Sequence, residues 1–485
     1  MAINPTNPSH IVVAWMKYHF FPAPAGMVIA VSTSTNGGLN WSTPVEIPHF
    51  RPHWVSADPT LAFRTDGTLF LGFIDYKITK DSGAVFITKS TNGGTSWGSI
   101  NKAVDLHDNP DLIIDRPWLA IDNSGGTYDG KLYLATMSLK EDPLPHHLFC
   151  CNSNDGITWT TPIQVDNTIL AGPAVQPMGI PAVTKNGKLI IAYFSYNPPQ
   201  SLYPRFIAGI SNDGGATITN SVMLTYTNSI TITNDTLLQY SYNLSANPNN
   251  ANNLVFAFID KSGTDYDLNA IHTQDEGMTW STPIKLNTDP LNNGNNQDML
   301  WANFSSTGKY GTAWRDRRAN TGAQNEPYKI WGTVSVDGGQ SFASEFQLSQ
   351  TDGPLMIPVD GNDFLGCVLN DTCIYTCWTD KRNNSTNQLF FNKKNFNTIT
   401  SNSEKIENSF DVTVYPNPNK GILKIKTSSR GEFILTVKDY NGKEILTDKF
   451  TGDNYQLRNN LNSGVYFITV ESNNYKKTVK TVLNK

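Results

Sequence analysis

One eight-residue pattern recurs along the chain and limits what it can fold into. It begins Ser/Thr-x-Asp/Asn-x-Gly and ends, three residues later, in Trp, which the fourth copy replaces by Ile and the sixth by Phe. "STNGGLNW" (Ser34, Asn36, Gly38, Trp41) is the first copy and "STNGGTSW" (Ser90, Asn92, Gly94, Trp97) the second. The third aligns as Asn152, Asn154, Gly156 and Trp159, with Asn in the Ser place. Ser211-Asp213-Gly215-Ile218, Thr273-Asp275-Gly277-Trp280 and Ser335-Asp337-Gly339-Phe342 complete the set. A catalytic motif normally occurs once, whereas a motif at a regular period marks a repeated supersecondary unit.

Local chemistry explains the pattern. Alternating apolar residues precede each copy ("MVIAVS", "AVFITKS", "KIWGTVS") and a short apolar segment follows ("STPVEI", "STPIKL"). That is a strand, a turn and a strand. Gly accepts a positive φ, and the Ser and Asp/Asn side chains bond turn amides. Between copies lies a second pair of strands, such as "TLAFRTDGTLFLGFID", "PAVTKNGKLIIAYF" and "WANFSSTGKYGTAWRD". The unit is therefore four strands in roughly 60 residues.

The repeat resembles the Asp-box, or BNR repeat, of sialidases and related β-propellers. The resemblance implies an all-β propeller of six to seven blades. Seven are favoured, because seven inner pairs can be aligned. Two of them are atypical. The last, "CVLNDTCIYTCWTDKRNNSTNQLFFNKK", has three strands and no box. The first starts at "MAIN" with a shortened inner strand. We expect residues 1–396 to form this propeller, with its first blade truncated and a signal peptide once preceding Met1.

Strands named a to d from the axis outward put the a–b turns and the boxes on one face. The b–c loops and d-to-a links share the other. Box-side turns are short and uniform. Segments on the other face, such as "PHFRPHWVSAD" and "SYNPPQSLYPR", are long and irregular, so function is expected there. Starts of strands a supply Asp58, Asp115, Arg116, Gln176, Tyr240, Tyr242, Asp298 and Asp363 to that mouth. Ends of strands b supply Tyr76, Tyr196, Arg315, Arg317, Arg318 and Arg382. Arg forks suit a carboxylated sugar, and Trp54, Trp118 and Trp301 offer flat faces for stacking. The expected catalytic candidates are Asp58, Asp115, Tyr242 and Asp298; the expected substrate-binding ones are Arg116, Arg205, Arg315, Arg318, Trp118 and Trp301. Asp75, Asp260, Asp316 and Asp380 recur at one blade position and read as structural acceptors, with Arg317 and Arg382 pairing to such acids.

Sialidases use three arginines on the substrate carboxylate, a Tyr nucleophile assisted by Glu, and an Asp acid/base. Here no Tyr/Phe-Arg-Ile-Pro motif appears, and "YPRFIA" around Arg205 only echoes it. Three readings stay open: a glycoside hydrolase of exo-α-sialidase type, a glycoside hydrolase of another specificity, and a noncatalytic carbohydrate- or protein-binding propeller. The expected partner is a glycan or glycoconjugate, and a monomer is expected. No cofactor is expected; structural calcium at "DNSGGTYDG", Asp122–Gly130, is the alternative to a plain hairpin there. A formal charge of -5 argues against nucleic-acid binding, and no apolar run is long enough to span a bilayer. Five cysteines at irregular spacing read as buried thiols, with a Cys367–Cys373 disulfide as the alternative.

Residues 397–410 read as a polar linker. From Asp411 the style changes: 12 basic residues meet 7 acidic ones, and "DYNGKEI" carries a strong hairpin signal. A small Ig-like β-sandwich is expected over 411–485. "YPNP", "LNSGVYFI" and "KTVKTVL" make this tail similar to the type IX secretion sorting domain of Bacteroidetes. That resemblance implies export across the outer membrane, then release or attachment at the cell surface.

Overall fold

The computed structural model describes residues 1–19, 26–79, 82–105, 114–138, 147–173, 178–226, 241–260, 265–290, 293–318, 327–354, 364–383, 387–397, 412–458, 461–472 and 475–484. The chain forms two compact units, Met1–Ile399 and Thr400–Lys485.

Seven antiparallel sheets make up the first unit. Blade 1 is Ala2–Asn4, Asn7–His19, Gly26–Ser34 and Val45–Ile47; blade 2 is Trp54–Phe63, Leu69–Lys77, Gly83–Ser90 and Asn101–Val104. Blade 3 is Ile114–Ile121, Leu132–Ser138, Leu148–Ser153 and Ile163–Gln164; blade 4 is Ile180–Val183, Leu189–Ser195, Arg205–Ser211 and Thr219–Thr225. Blade 5 is Tyr242–Ala246, Leu254–Asp260, Asp267–Thr273 and Ile284–Lys285; blade 6 is Gln297–Phe304, Tyr310–Asp316, Lys329–Ser335 and Phe346–Gln347. Blade 7 has three described strands, Gly366–Leu369, Cys373–Asp380 and Gln388–Asn395. Each inner strand packs on the next, and that of blade 7 meets that of blade 1. The ring is closed, and the first unit is a seven-bladed β-propeller.

The boxes hold the ring together. In the first, Ser34 Oγ donates to Asn36 Oδ1 at 2.9 Å and accepts from Gly38 N at 2.9 Å. Gly38 sits at φ +81, and an added Cβ would lie 2.3 Å from Phe391 of blade 7. Trp41 meets Phe391 edge-on at 4.9 Å. Gly94 likewise abuts blade 1 through Thr33, Gly156 blade 2 through Phe70, and Gly215 blade 3 through Tyr133. Gly277 abuts Ile190 of blade 4, and Gly339 abuts Val255 of blade 5. Every box docks on the preceding blade.

The third box departs from the alignment by one residue. Ser153 Oγ donates to Asp155 Oδ1 at 3.0 Å and accepts from Gly156 N at 2.9 Å. Ser153 and Asp155, rather than Asn152 and Asn154, hold this turn, which is one residue shorter than the others. The displaced Asn152 N bonds Thr160 Oγ1 at 3.0 Å.

All five cysteines are free and buried. Cys367 pairs with Thr376 in the ladder, so strand alternation puts Cys373 on the opposite face and rules out the Cys367–Cys373 disulfide.

The second unit is a five-stranded antiparallel assembly of Val412–Tyr415, Ile422–Asp439, Glu444–Arg458, Gly464–Ser472 and Tyr475–Leu483. It has its own core, including Leu423, Ile425, Leu435, Val437, Ile468 and Val470.

Candidate functional site

Three inner strands share one irregularity. In blade 2 the register slips between Ala57 and Thr60, in blade 3 between Asp115 and Trp118, and in blade 6 between Asp298 and Trp301. Each slip inserts one residue into strand a, which is a β-bulge. The first inserted residue has positive φ every time: 53° at Asp58, 50° at Arg116 and 51° at Met299. Such a conformation costs a side-chain-bearing residue on the order of 1–3 kcal/mol, and it clusters at functional sites. The bulge also corrects the sequence register. Asp58 is the counterpart of Arg116 and Met299, while Asp115 matches Asp298 and Ala57.

Two of the three bulges present charge to the axis. Asp58 and Arg116 line a cavity of ≈ 430 Å³ along the centre of the ring, together with Trp118, Asn243, Trp301 and Phe364. The Arg116 backbone N–H bonds Asp115 Oδ1 at 2.9 Å. Its guanidinium has no hydrogen bond or ion pair among the described residues. Tyr76, half-buried at the end of strand b in blade 2, faces the same cluster. Burial, reinforced by the charges of Asp58, Asp115 and Asp75, raises its pKa and keeps the phenol protonated. Its hydroxyl is a donor rather than a ready nucleophile.

The two tryptophans do not form open platforms. Trp118 of blade 3 and Trp301 of blade 6 stack on each other across the axis, at 4.5 Å and 26°. Phe364 closes on Trp118 edge-on at 5.3 Å. The three rings form an aromatic plug, and a sugar could stack on Trp118 or Trp301 only by displacing it. Phe364 and Asn243 were not among the expected site residues. The one signal for Phe364 was an aromatic just before an inner strand.

Other expected residues lie elsewhere. Tyr242 is buried, donates to Met178 O at 2.5 Å and accepts from Phe194 N at 3.3 Å. Burial raises its pKa well beyond the usual phenol range, so it is a core residue and not an exposed nucleophile. Asp298 is 0% exposed and accepts from Arg315 Nε at 2.6 Å and Arg317 Nη1 at 3.1 Å. Burial would raise the Asp298 pKa, but the two guanidinium charges outweigh it and hold the carboxylate low. Asp298 and Arg315 thus satisfy each other inside blade 6 and are withdrawn from ligand. Arg317 pairs with Asp298 and not with a strand-end acid. Arg318 bonds Asp316 Oδ1 at 2.9 Å and Glu345 Oε2 at 2.8 Å, and lies over Trp331; it too is occupied. Arg382 pairs with Asp380 as expected. Arg205 begins strand c of blade 4, two strands out from the axis, and is 9% exposed. Gln176, Tyr240 and Asp363 lie outside the described residues.

The Asp122–Gly130 segment is a hairpin turn. Asp122 Oδ1 accepts Ser124 N at 2.8 Å, Ser124 Oγ accepts Gly126 N at 3.0 Å, and Asp129 Oδ1 accepts Gly125 N at 2.8 Å. These oxygens serve the turn's own amides. Among the described residues no group of three His, Cys, Asp or Glu side chains is placed to hold a metal.

Residues 413–484 match the secretion system C-terminal sorting domain. The chain therefore carries an export address at its C-terminal end. Among the described residues, no helix is long and apolar enough to cross a membrane. No curated protein matches the sequence. Among solved structures the chain is similar to a Hadza microbial sialidase, at 13% identity over 77% of this chain and 74% of that one, TM-score 0.47. It is also similar to a Trypanosoma rangeli sialidase in complex with sialic acid (11%, 90% and 85%, 0.47). A third is the α-L-arabinofuranosidase of Fusarium graminearum in complex with arabinobiose (14%, 70% and 93%, 0.46).

Proposed function

We propose that this chain is a propeller exported by type IX secretion that binds an acidic glycan at the mouth of its axial cavity. The Arg116 guanidinium, which has no hydrogen bond or ion pair among the described residues, carries the reading. A charge so held at a cavity wall on a strained bulge is poised for an anionic ligand. A sugar carboxylate satisfies a guanidinium fork, while Asp58, Asp115 and the Tyr76 hydroxyl serve the sugar's hydroxyls. We further propose that residues 1–396 act as the binding domain, and that the tail from 411 directs release or attachment at the cell surface.

A second reading is hydrolysis. The observation favouring it is that the Asp58 carboxylate lines the cavity, with Asp115 and the Tyr76 phenol near enough for both carboxylates to raise the phenol's pKa. Glycoside hydrolases commonly use a carboxyl pair, and sialidases a Tyr. The test is a panel of acidic and neutral oligosaccharides for binding, with aryl glycosides of sialic, uronic and neutral sugars for turnover. Binding restricted to acidic sugars and lost in Arg116→Ala supports the proposal. Turnover lost in Asp58→Asn or Asp115→Asn establishes hydrolysis. Preference for neutral sugars, or indifference to Arg116→Ala, rejects the acidic-glycan reading.

A further inference from the structure

Arg205 poses a second unanswered charge. Other arginines held below the surface meet a carboxylate: Arg315 and Arg317 meet Asp298, Arg318 meets Asp316, and Arg382 meets Asp380. Arg205 meets none among the described residues. Its Nη2 reaches Ser195 Oγ at 3.4 Å and Gln200 Oε1 at 3.5 Å, both long for a guanidinium bond. Nε is buried without a partner. Both acceptors are neutral: Ser195 Oγ donates to Leu170 O at 2.7 Å, and Gln200 Oε1 also accepts from Leu170 N at 3.0 Å. Burial lowers the Arg205 pKa from its ordinary value, as expected of a cation without a counter-ion.

The place of Arg205 supplies the rest. It starts strand c of blade 4, at the end of the b–c loop, and therefore lies on the same face as Arg116. Two arginines on one face of a rigid ring, neither with a carboxylate partner among the described residues, form a two-point anion reader.

We infer that Arg205 is a second anionic subsite and that the ligand is a glycan bearing acid groups at repeated positions, not one terminal acid sugar. This inference rests on the acidic-glycan reading and names its ligand class. A chain spanning both arginines turns the second contact into an intramolecular one, so its affinity exceeds that of a single acid sugar.

The experiment uses the full chain and oligogalacturonates of one to six residues as probes, with calorimetric affinities for wild type, Arg205→Gln, Arg205→Lys and Arg116→Ala. Melting curves confirm that each variant is folded. For wild type we expect the longest probe to bind at least about tenfold tighter than the monomer. In Arg205→Gln that ratio falls to about one, and Arg205→Lys recovers part of it. Arg116→Ala weakens every probe. If wild type shows no gain with length, or Arg205→Gln retains the gain, the second subsite is refuted while the first reading stands. If no probe binds wild type and a sulfated oligosaccharide series fails as well, both fall together.

Discussion

Replacing Asp298 by Ala tests whether blade 6 spends its arginines on structure. The carboxylate is fully buried and receives both Arg315 and Arg317. Its removal leaves two guanidiniums, 1% and 0% exposed, facing each other with no anion between them. Breaking a buried pair from one side costs about 3–5 kcal/mol, because the stranded charge stays desolvated. Removing all members together, as Asp298→Met, Arg315→Met and Arg317→Met, should cost less than the single change, because no charge is stranded. Denaturant unfolding followed by tryptophan fluorescence reads both. The pH dependence has a definite sign. The Asp298 pKa is lowered in the fold, so its contribution is present above the unfolded carboxyl value of about 3.9 and is lost as pH falls through the lower folded value. The gap between wild type and Asp298→Ala should therefore narrow below about pH 4. A single-variant loss under about 1 kcal/mol, or a gap that widens in acid, would refute the reasoning.

Three further outcomes follow from the packing. Gly38→Ala should cost about 2–4 kcal/mol from positive φ plus overpacking against Phe391. Gly67→Ala, at φ +87 with nothing within 4 Å of the added Cβ, should cost only the backbone strain; equal losses would show that the box does not staple the blades. His147 has a raised pKa, chiefly through its hydrogen bond to buried Asp166. That stability is complete below about pH 6.5 and lost as pH rises through the folded value, so His147→Gln should flatten the melting temperature across this window. A thiol reagent should leave the native protein unlabelled and find all five cysteines after denaturation, since each is buried and burial raises Cys150 to about 12; rapid native labelling would contradict the packing.

The sequence carried the fold because its signal is local and repeated. Ser34, Asn36, Gly38 and Trp41 specify a turn from within eight residues, and six such turns set the register of the blades. The same local logic failed at Ser153, where a one-residue deletion shifted the box without changing its composition. Site residues were harder because their roles depend on contacts between blades. Nothing in "DRPWLAI" or "QDMLWAN" says that Trp118 and Trp301 will stack on each other across the axis. Residue type alone could not separate Arg315, which Asp298 neutralises from the neighbouring strand, from Arg116, which has no such partner among the described residues. The bulge had a faint signal: "ADP" and "DRP" each place Pro after the residue at positive φ. Aligned on their aspartates, the strand starts put Asp58 one position out of register with Asp115 and Asp298.

The most direct test of the account is calorimetric titration of wild type and Arg116→Ala with galacturonic acid, sialyllactose and their neutral counterparts. A charge-assisted guanidinium contact contributes about 1.5–3 kcal/mol, or roughly 10- to 150-fold in affinity. The account predicts binding of at least one acidic sugar over its neutral counterpart, a loss of that size in Arg116→Ala, and an unchanged melting temperature, because the Arg116 guanidinium has no partner to lose among the described residues. Acidic-sugar binding that survives Arg116→Ala, or a variant that loses stability instead of affinity, would contradict it.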